Sequence, residues 1–378
     1  LVAPLPDKQR IAWLRLSRTD NIGPITFFKL LRKYRDVEHV LHEIPYLAKK
    51  GGRPLHVASQ AQAEDEIAAT QKLGGHIVCF DDPCYPANLK TIPDAPPVLS
   101  ILGSPQKLQK QILAIVGGRN ASILGKNLSR SFAHDLVTKG YTVASGLARG
   151  IDTCAHIGAL SAPKENFLNT VAVLAGGVDQ VYPEENKDLY HQIKDKGLIL
   201  SEAPMGMAPL AHHFPRRNRL ISGLSQGTII IEAAAKSGSL TTARMTLDQN
   251  RDLFVVPGSP IDPRYHGSHQ LIKDGAYLMQ TLDDILPSLR CQSLPLDLKD
   301  EDSYFPHNAI MNQDSAQDIH QIILDNLSWS PIAIDEIPRV ISCTPSMVMQ
   351  ALLELELAGK VLMSSGNYVQ LTQRKEKL

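Results

Sequence analysis

Cysteine, aromatic residues and net charge are all scarce in this chain of 378 residues. Its five cysteines, Cys79, Cys84, Cys154, Cys291 and Cys343, are odd in number and scattered. That argues against a disulfide framework and for reduced thiols in a cytoplasmic protein. Cys79 and Cys84 form a C-x4-C, but no second pair or nearby histidine completes a zinc set, so no metal site is expected. Aromatics make up 5% of the chain, too few for a surface built mainly on stacked bases. Lys+Arg and Asp+Glu each number 39, giving a formal net charge of zero. This argues against a uniformly basic, histone-like protein and an acidic disordered one, and leaves room for a local basic patch. No apolar run approaches the ~20 residues of a membrane span. Leu1 to Arg10 lacks a basic segment leading into an apolar one, so neither a membrane association nor a signal peptide is expected.

Hydrophobic periodicity divides the chain into residues 1–75, helical; 76–290, alternating strands and helices; 291–316, an aperiodic linker; and 317–378, compact and helical with a β-like end. The middle region holds six short apolar runs: Ile112–Val116, Tyr141–Ala144, Thr170–Ala175, Leu198–Leu200, Thr228–Ile231 and Leu253–Val256. Each ends in a small or polar turn, and most are separated by amphipathic stretches such as Lys126–Lys139. Continuous apolar strands of this kind are buried on both faces of a parallel sheet. The expectation is a doubly wound α/β fold with its site at the carboxyl ends of the strands.

Three arginine-bearing segments follow those strands. Gly117-Gly118-Arg119 offers backbone amides and a cation to a phosphate at a helix start. Ser145-Gly146, with Arg149 beyond, repeats the pattern, and Asp152 either caps the next helix or holds Arg149. Arg216-Arg217-Asn218-Arg219 places three arginines before an apolar helix. Across residues 212–251 six Lys/Arg face two acids, the basic patch hidden in the neutral total. Ser237-Gly238-Ser239 adds hydroxyls that either meet phosphate or cap a helix. Several enzyme signatures fail here. Six residues separate Gly118 from Gly125, and Asn127 follows Lys126, so there is no Walker A loop. No strand ends in G-x-G-x-x-G, which argues against a dinucleotide cofactor. Gly223–Gly227 matches G-x-S-x-G, but a helix precedes it and a strand follows, the reverse of a nucleophile elbow. No catalytic residue and no cofactor is therefore expected.

The runs VGGRNAS, SGLARGID, LAGGVDQVYPEEN, LSEAPMG, FPRRNRLISGLS, EAAAKSGSLTTA and VPGS…GSHQLIKDGA, over roughly residues 80–285, resemble the DNA-processing protein DprA (Smf) family in order and spacing. The resemblance implies a Rossmann-like domain that binds single-stranded DNA in a basic pocket without catalysis. It also implies a homodimer that protects incoming strands and loads the recombinase RecA during natural transformation. The contacts it implies are Gly117, Gly118, Arg119, Ser145, Gly146, Arg149, Arg217, Asn218, Arg219, Ser237, Gly238 and Ser239. The family's first turn commonly reads G-S-R; Gly118 here removes a hydroxyl but keeps the amide. A rival reading is a nucleotide phosphoribohydrolase of related fold. That class carries PGGxGTxxE, of which Gly227-Thr228 to Glu232 keeps only G-T and the acid.

The flanks suggest small interaction domains. Asn21-Ile22-Gly23 before an apolar helix looks like a helix-hairpin-helix or SAM-like unit with no basic residue in its turn. Residues 317–378 fit a winged helix whose third helix starts at Thr344-Pro345. That helix offers only Gln350 to a major groove and carries Glu354 and Glu356, which favours partner docking over sequence reading.

Overall fold

A computed structural model describes residues 4–50, 56–109, 111–163, 168–285, 287, 289, 316–327, 331–341, 343–364 and 367–372. Contacts divide the chain into two compact units, Leu1–Pro6 with Glu64–Pro295, and Asp7–Ala63 with Leu296–Leu378. The expected linker at 291–316, with its acidic stretch at 297–302, falls outside the described residues except for Ala316.

In the second unit, α1 (Asp7–Ser17), α2 (Pro24–Tyr34) and α3 (Val37–Lys50) bury Leu14, Leu16, Phe27, Leu30, Val40 and Ile44 against one another. Gly23 and Pro24 start α2, and Arg35 ends it in the left-handed conformation.

The division falls within α4 (Gln60–Lys72), most of which belongs to the first unit. Its strands are β1 (Gly75–Cys79), β2 (Val98–Leu102), β3 (Ile112–Gly117), β4 (Thr142–Ser145), β5 (Thr170–Val173), β6 (Leu198–Ser201), β7 (Gly227–Ile231), β8 (Asp252–Val255) and β9 (Tyr277–Leu278). Their spatial order is β1-β2-β6-β5-β4-β3-β7-β8-β9. The six apolar runs are β3 to β8, all parallel to one another. The antiparallel β1 and β2, which extend one edge beyond β6, went unread in the sequence. Helices α5 (Ala87–Lys90), α6 (Ile123–Thr138), α7 (Ile151–Ser161), α8 (Lys187–Lys196), α9 (His213–Leu224), α10 (Ser239–Asp248) and α11 (His266–Lys273) intervene.

Period-two alternation decides which side chain meets which layer. Ile112, Ala114 and Val116 of β3 join Leu220, Ile221 and Leu224 of α9 on one face. Leu113 and Ile115 join Phe132 and Leu136 of α6 and Ile151 and Ala155 of α7 on the other. Each fully buried Val, Leu or Ile side chain among these contributes about 1.5–3 kcal/mol. The chain winds from β3 through β4, β5 and β6 in one direction, then returns to β7 and β8 on the opposite side of β3. The crevice between the carboxyl ends of β3 and β7 is thus the topological switch point, where ligands of such sheets bind.

The second unit closes with α12 (Ala316–Asn326), β10 (Ile332–Ala333), α13 (Ile337–Ile341), α14 (Pro345–Leu357), β11 (Val361–Ser364) and β12 (Tyr368–Leu371), a winged helix. The Thr344 hydroxyl caps α14 by accepting from the Met347 amide. Ahead of α13, Ile334–Glu336 form a 3-10 turn that runs straight into it.

One close approach offers a test of the layer over β3. A Cβ on Gly158 of α7 would lie 2.2 Å from the Arg130 carbonyl oxygen of α6. Gly158→Ala gains up to about 1 kcal/mol of helix propensity but forces the helices apart, at about 1–3 kcal/mol. We expect a net loss of stability, read as a lower urea midpoint; an unchanged or higher midpoint contradicts this packing.

Candidate nucleic-acid interface

A cavity of about 780 Å³ opens at the switch point. The turn after β3 supplies Gly117, Gly118 and Arg119; that after β4, Ala148 and Asp152; that after β5, Tyr182. Phe214, Arg217 and Asn218 come from α9, and Lys236, Ser237, Gly238 and Ser239 come from the segment leading into α10. Gly117 is required by proximity, since a Cβ there would lie 1.8 Å from the Ile231 carbonyl oxygen across the crevice.

Arg217 forms the buried floor, with 5% of its surface exposed. Its Nη1 donates to the Val173 carbonyl at 2.7 Å, and its Nε, also buried, has no hydrogen-bond partner among the described residues. Burial lowers its pKa to about 10, opposed by the attraction of Asp152, so it stays cationic at neutral pH. Asp152 does not cap α7, whose N-cap is Gly150. Its carboxylate accepts from the Gly146 amide at 3.1 Å and the Ala148 amide at 3.4 Å. Burial pushes its pKa up, and Arg217 and those amides pull it back. Asp152 therefore shapes the turn after β4 and faces Arg217 rather than Arg149.

Beside this pair lies His156. The Thr170 hydroxyl donates to the Val143 carbonyl, so it can only accept from His156 Nδ1, 2.7 Å away. The imidazole is thus neutral with its proton on Nδ1, and its Nε2 is buried without a partner among the described residues. Burial, helped by Arg217, lowers its pKa to about 3.

The sequence reading missed several side chains here. The Phe214 ring lies 5.5 Å from the Arg119 guanidinium carbon, 5.9 Å from that of Arg217 and 5.3 Å from the Tyr182 ring. The first two are cation–π distances. Despite the low aromatic content, two rings stand at the cavity with cations beside them. Glu232 ends β7 in the left-handed conformation, φ 52°, which is uncommon for a residue with a side chain. Its carboxylate accepts from the Ser122 amide at 2.7 Å, from the Ser122 hydroxyl, and from the Tyr265 hydroxyl at 2.9 Å. It is a bracket tying the start of α6 to the end of β7. Tyr182 and Phe214 sat inside recognised motifs with no signal marking them as cavity residues. Glu232 was visible only as the acid of G-T-x-x-x-E.

The residues expected to meet DNA separate into groups. Gly117, Gly118, Arg119, Arg217, Asn218, Ser237, Gly238 and Ser239 line the cavity. Gly146 and Arg149 line a smaller adjoining hollow of about 140 Å³ together with Arg119. Arg149 is paired with Glu185 at the surface. Ser145 and Arg219 do not line either hollow. The Ser145 hydroxyl donates to the Ile115 carbonyl at 2.7 Å. Arg219, 5% exposed, is held by Asp94 at 3.2 Å and by Glu202. By contrast, the exposed Arg119 and Lys236 have no ion-pair or hydrogen-bond partner for their side chains among the described residues. Among those residues, no cluster of three or more His, Cys, Asp or Glu is placed to hold a metal ion. No helix there is long and apolar enough to cross a membrane.

A mostly parallel sheet with arginines and helix-start amides gathered at its switch point marks an α/β protein whose crevice has the chemistry to hold an anion. Comparison with known proteins narrows the class. The family model described as DNA recombination-mediator protein A matches residues 76–290, the DprA-like N-terminal HHH domain matches 7–69 and the DprA winged helix domain matches 308–367. The chain belongs to the DprA (Smf) family of DNA-processing recombination mediators. It is 37% identical to Protein Smf of Escherichia coli over 310 residues, 82% of this chain and 80% of that one. The crystal structure of DNA processing protein A from Streptococcus pneumoniae aligns with a TM-score of 0.60 at 33% identity, covering 75% of this chain and 98% of that one. A Helicobacter pylori DNA processing protein A, whose structure was described for its single-stranded DNA binding mode, aligns with a TM-score of 0.50 at 27% identity. That alignment covers 57% of this chain and 96% of that one.

The buried imidazole gives the site a pH signature. Because the folded pKa of about 3 lies below the ordinary 6.5, the unfolded chain binds a proton that the folded chain refuses. His156 stabilisation is complete above pH 6.5 and falls by about 1.4 kcal/mol per unit as pH drops towards 3. Urea unfolding across this window should show a shallower loss for His156→Gln than for the wild type. Parallel curves contradict a neutral buried imidazole.

Proposed function

We propose that the cavity at the switch point grips the phosphate backbone of single-stranded DNA, and that the chain acts as a non-enzymatic mediator. The observation that carries the reading is the buried, incompletely partnered Arg217 at its floor, with the unpaired Arg119 and Lys236 at the same cavity. Phosphate suits these groups: guanidinium donors and the amides ahead of α10 present fixed positive dipoles to an anion. Tyr182 and Phe214 add limited stacking to the grip. The related Helicobacter pylori protein, described for its single-stranded DNA binding, supports the choice of ligand. Following the family resemblance, the protein works in the cytoplasm as a homodimer. There it protects incoming strands and loads RecA during natural transformation.

The phosphoribohydrolase reading fits less well. Its acid would have to be Glu232, whose carboxylate is already committed to two Ser122 donors and the Tyr265 hydroxyl. In the binder reading, the chain releases no free base from nucleoside monophosphates at enzyme-like turnover.

The test is a salt-resolved titration of a labelled oligonucleotide. Arg119→Ala combined with Arg217→Ala should weaken binding and flatten the salt dependence by about 0.7 in log–log slope for each phosphate left without its cation. An unchanged affinity and slope would place the strand elsewhere.

A further inference from the structure

Two features have no part in the cavity: the hairpin-like turn Asn21-Ile22-Gly23 and the third helix of the winged helix, which carries no basic residue. They meet within the second unit. Asn21, left-handed at φ 59°, directs its side-chain amide to the carbonyl oxygen of Leu357, the last residue of α14, at 3.5 Å. Lys29 of α2 places its Nζ 3.4 Å from Met363 Sδ in β11. Glu356 of α14 lies close enough to Lys29, the Thr26 hydroxyl of α2 and the Met363 amide for all three to favour its charged form. Its Oε2 is buried with no hydrogen-bond partner among the described residues. Along the same side, α3 packs on α14.

The other acid of α14 also turns inward. Glu354, 2% exposed, meets His320 Nε2 at 2.8 Å and accepts from Gln350 at 3.2 Å. What α14 leaves exposed near its start is Pro345, Ser346, Met349 and Gln350, with no cation. A major-groove helix needs base-edge donors and phosphate-neutralising charge at these positions.

We propose that α14 is a protein-docking helix whose partner is the helical domain at the other end of the same chain, and that Lys29 and Glu356 are the charge pair that selects it. Burial works against the charge on both groups, lowering the pKa of Lys29 and raising that of Glu356. Each charge is therefore costly there unless it faces the other. In this pairing Asn21 caps the end of α14, so the turn that would meet a DNA backbone in a hairpin unit is engaged by protein.

The test uses the full chain, with Lys29→Glu, Glu356→Lys and the double exchange. Hydrogen–deuterium exchange is followed at residues 24–34 and 345–357. Each single reversal should raise exchange in both segments by roughly tenfold or more, and the double exchange should restore most of the protection. Unchanged exchange in the single variants, or a double variant no better than the worse single, overturns the proposal. Should a reversal unfold the winged helix, Lys29→Met keeps the stem and removes the charge. Increased exchange in both segments then supports the pairing, and unchanged exchange contradicts it. Protection of 345–350 by duplex DNA in the wild type also overturns it.

Discussion

Arg217 holds a positive charge at the bottom of the cavity with 5% of its surface in contact with solvent, and Asp152 supplies the opposing charge. Two opposite charges buried near each other are stable only where their own donors and acceptors are satisfied. Here the Val173 carbonyl takes one guanidinium hydrogen, and the Gly146 and Ala148 amides take up the carboxylate. The turn after β4 is thereby folded round Asp152, and α9 is fixed over the end of β5. One donor, Nε, is left over. The site is preorganised for an anion because the cost of desolvating the guanidinium is met in folding, before any ligand arrives.

Under the proposed function, this arrangement lets a neutral chain favour a single strand. Positive charge is concentrated in a recess, and much of the remaining basic patch is cancelled locally: Arg219 by Asp94 and Glu202, Arg216 by Glu202, and Arg149 by Glu185. Charge paired in this way adds less to the attraction of a duplex rod through its counterion atmosphere. In the proposed role, a flexible strand enters the recess and brings its phosphates to Arg119, Lys236 and the amides before α10.

The six parallel strands and the cavity turns were legible because double-sided burial writes continuous apolar runs, and close backbone approach writes glycine. The antiparallel β1 and β2 were harder to see, since Gly75-His76 breaks the run and prolines crowd the approach to Val98. Site residues were legible by type but not by partner. Nothing in Arg217-Asn218-Arg219 says that the first arginine faces the cavity while the third is held by two acids, because helical spacing turns them to different surroundings. Asp152 likewise reached Arg217, 65 positions away in the sequence, rather than its neighbour Arg149. Such pairings depend on tertiary contacts that no local pattern encodes.

The placement of Arg217, rather than its charge alone, is the central claim, and Gly146 isolates it. A Cβ at Gly146 would lie 1.9 Å from Arg217 Nη1, and the pinned, buried guanidinium would have to move to make room. Single-strand affinity of Gly146→Ala, measured at fixed salt beside Arg217→Ala, tests this with the net charge untouched. The account predicts that the added methyl group lowers affinity nearly as much as removal of the guanidinium. Wild-type affinity in a folded Gly146→Ala protein would contradict it.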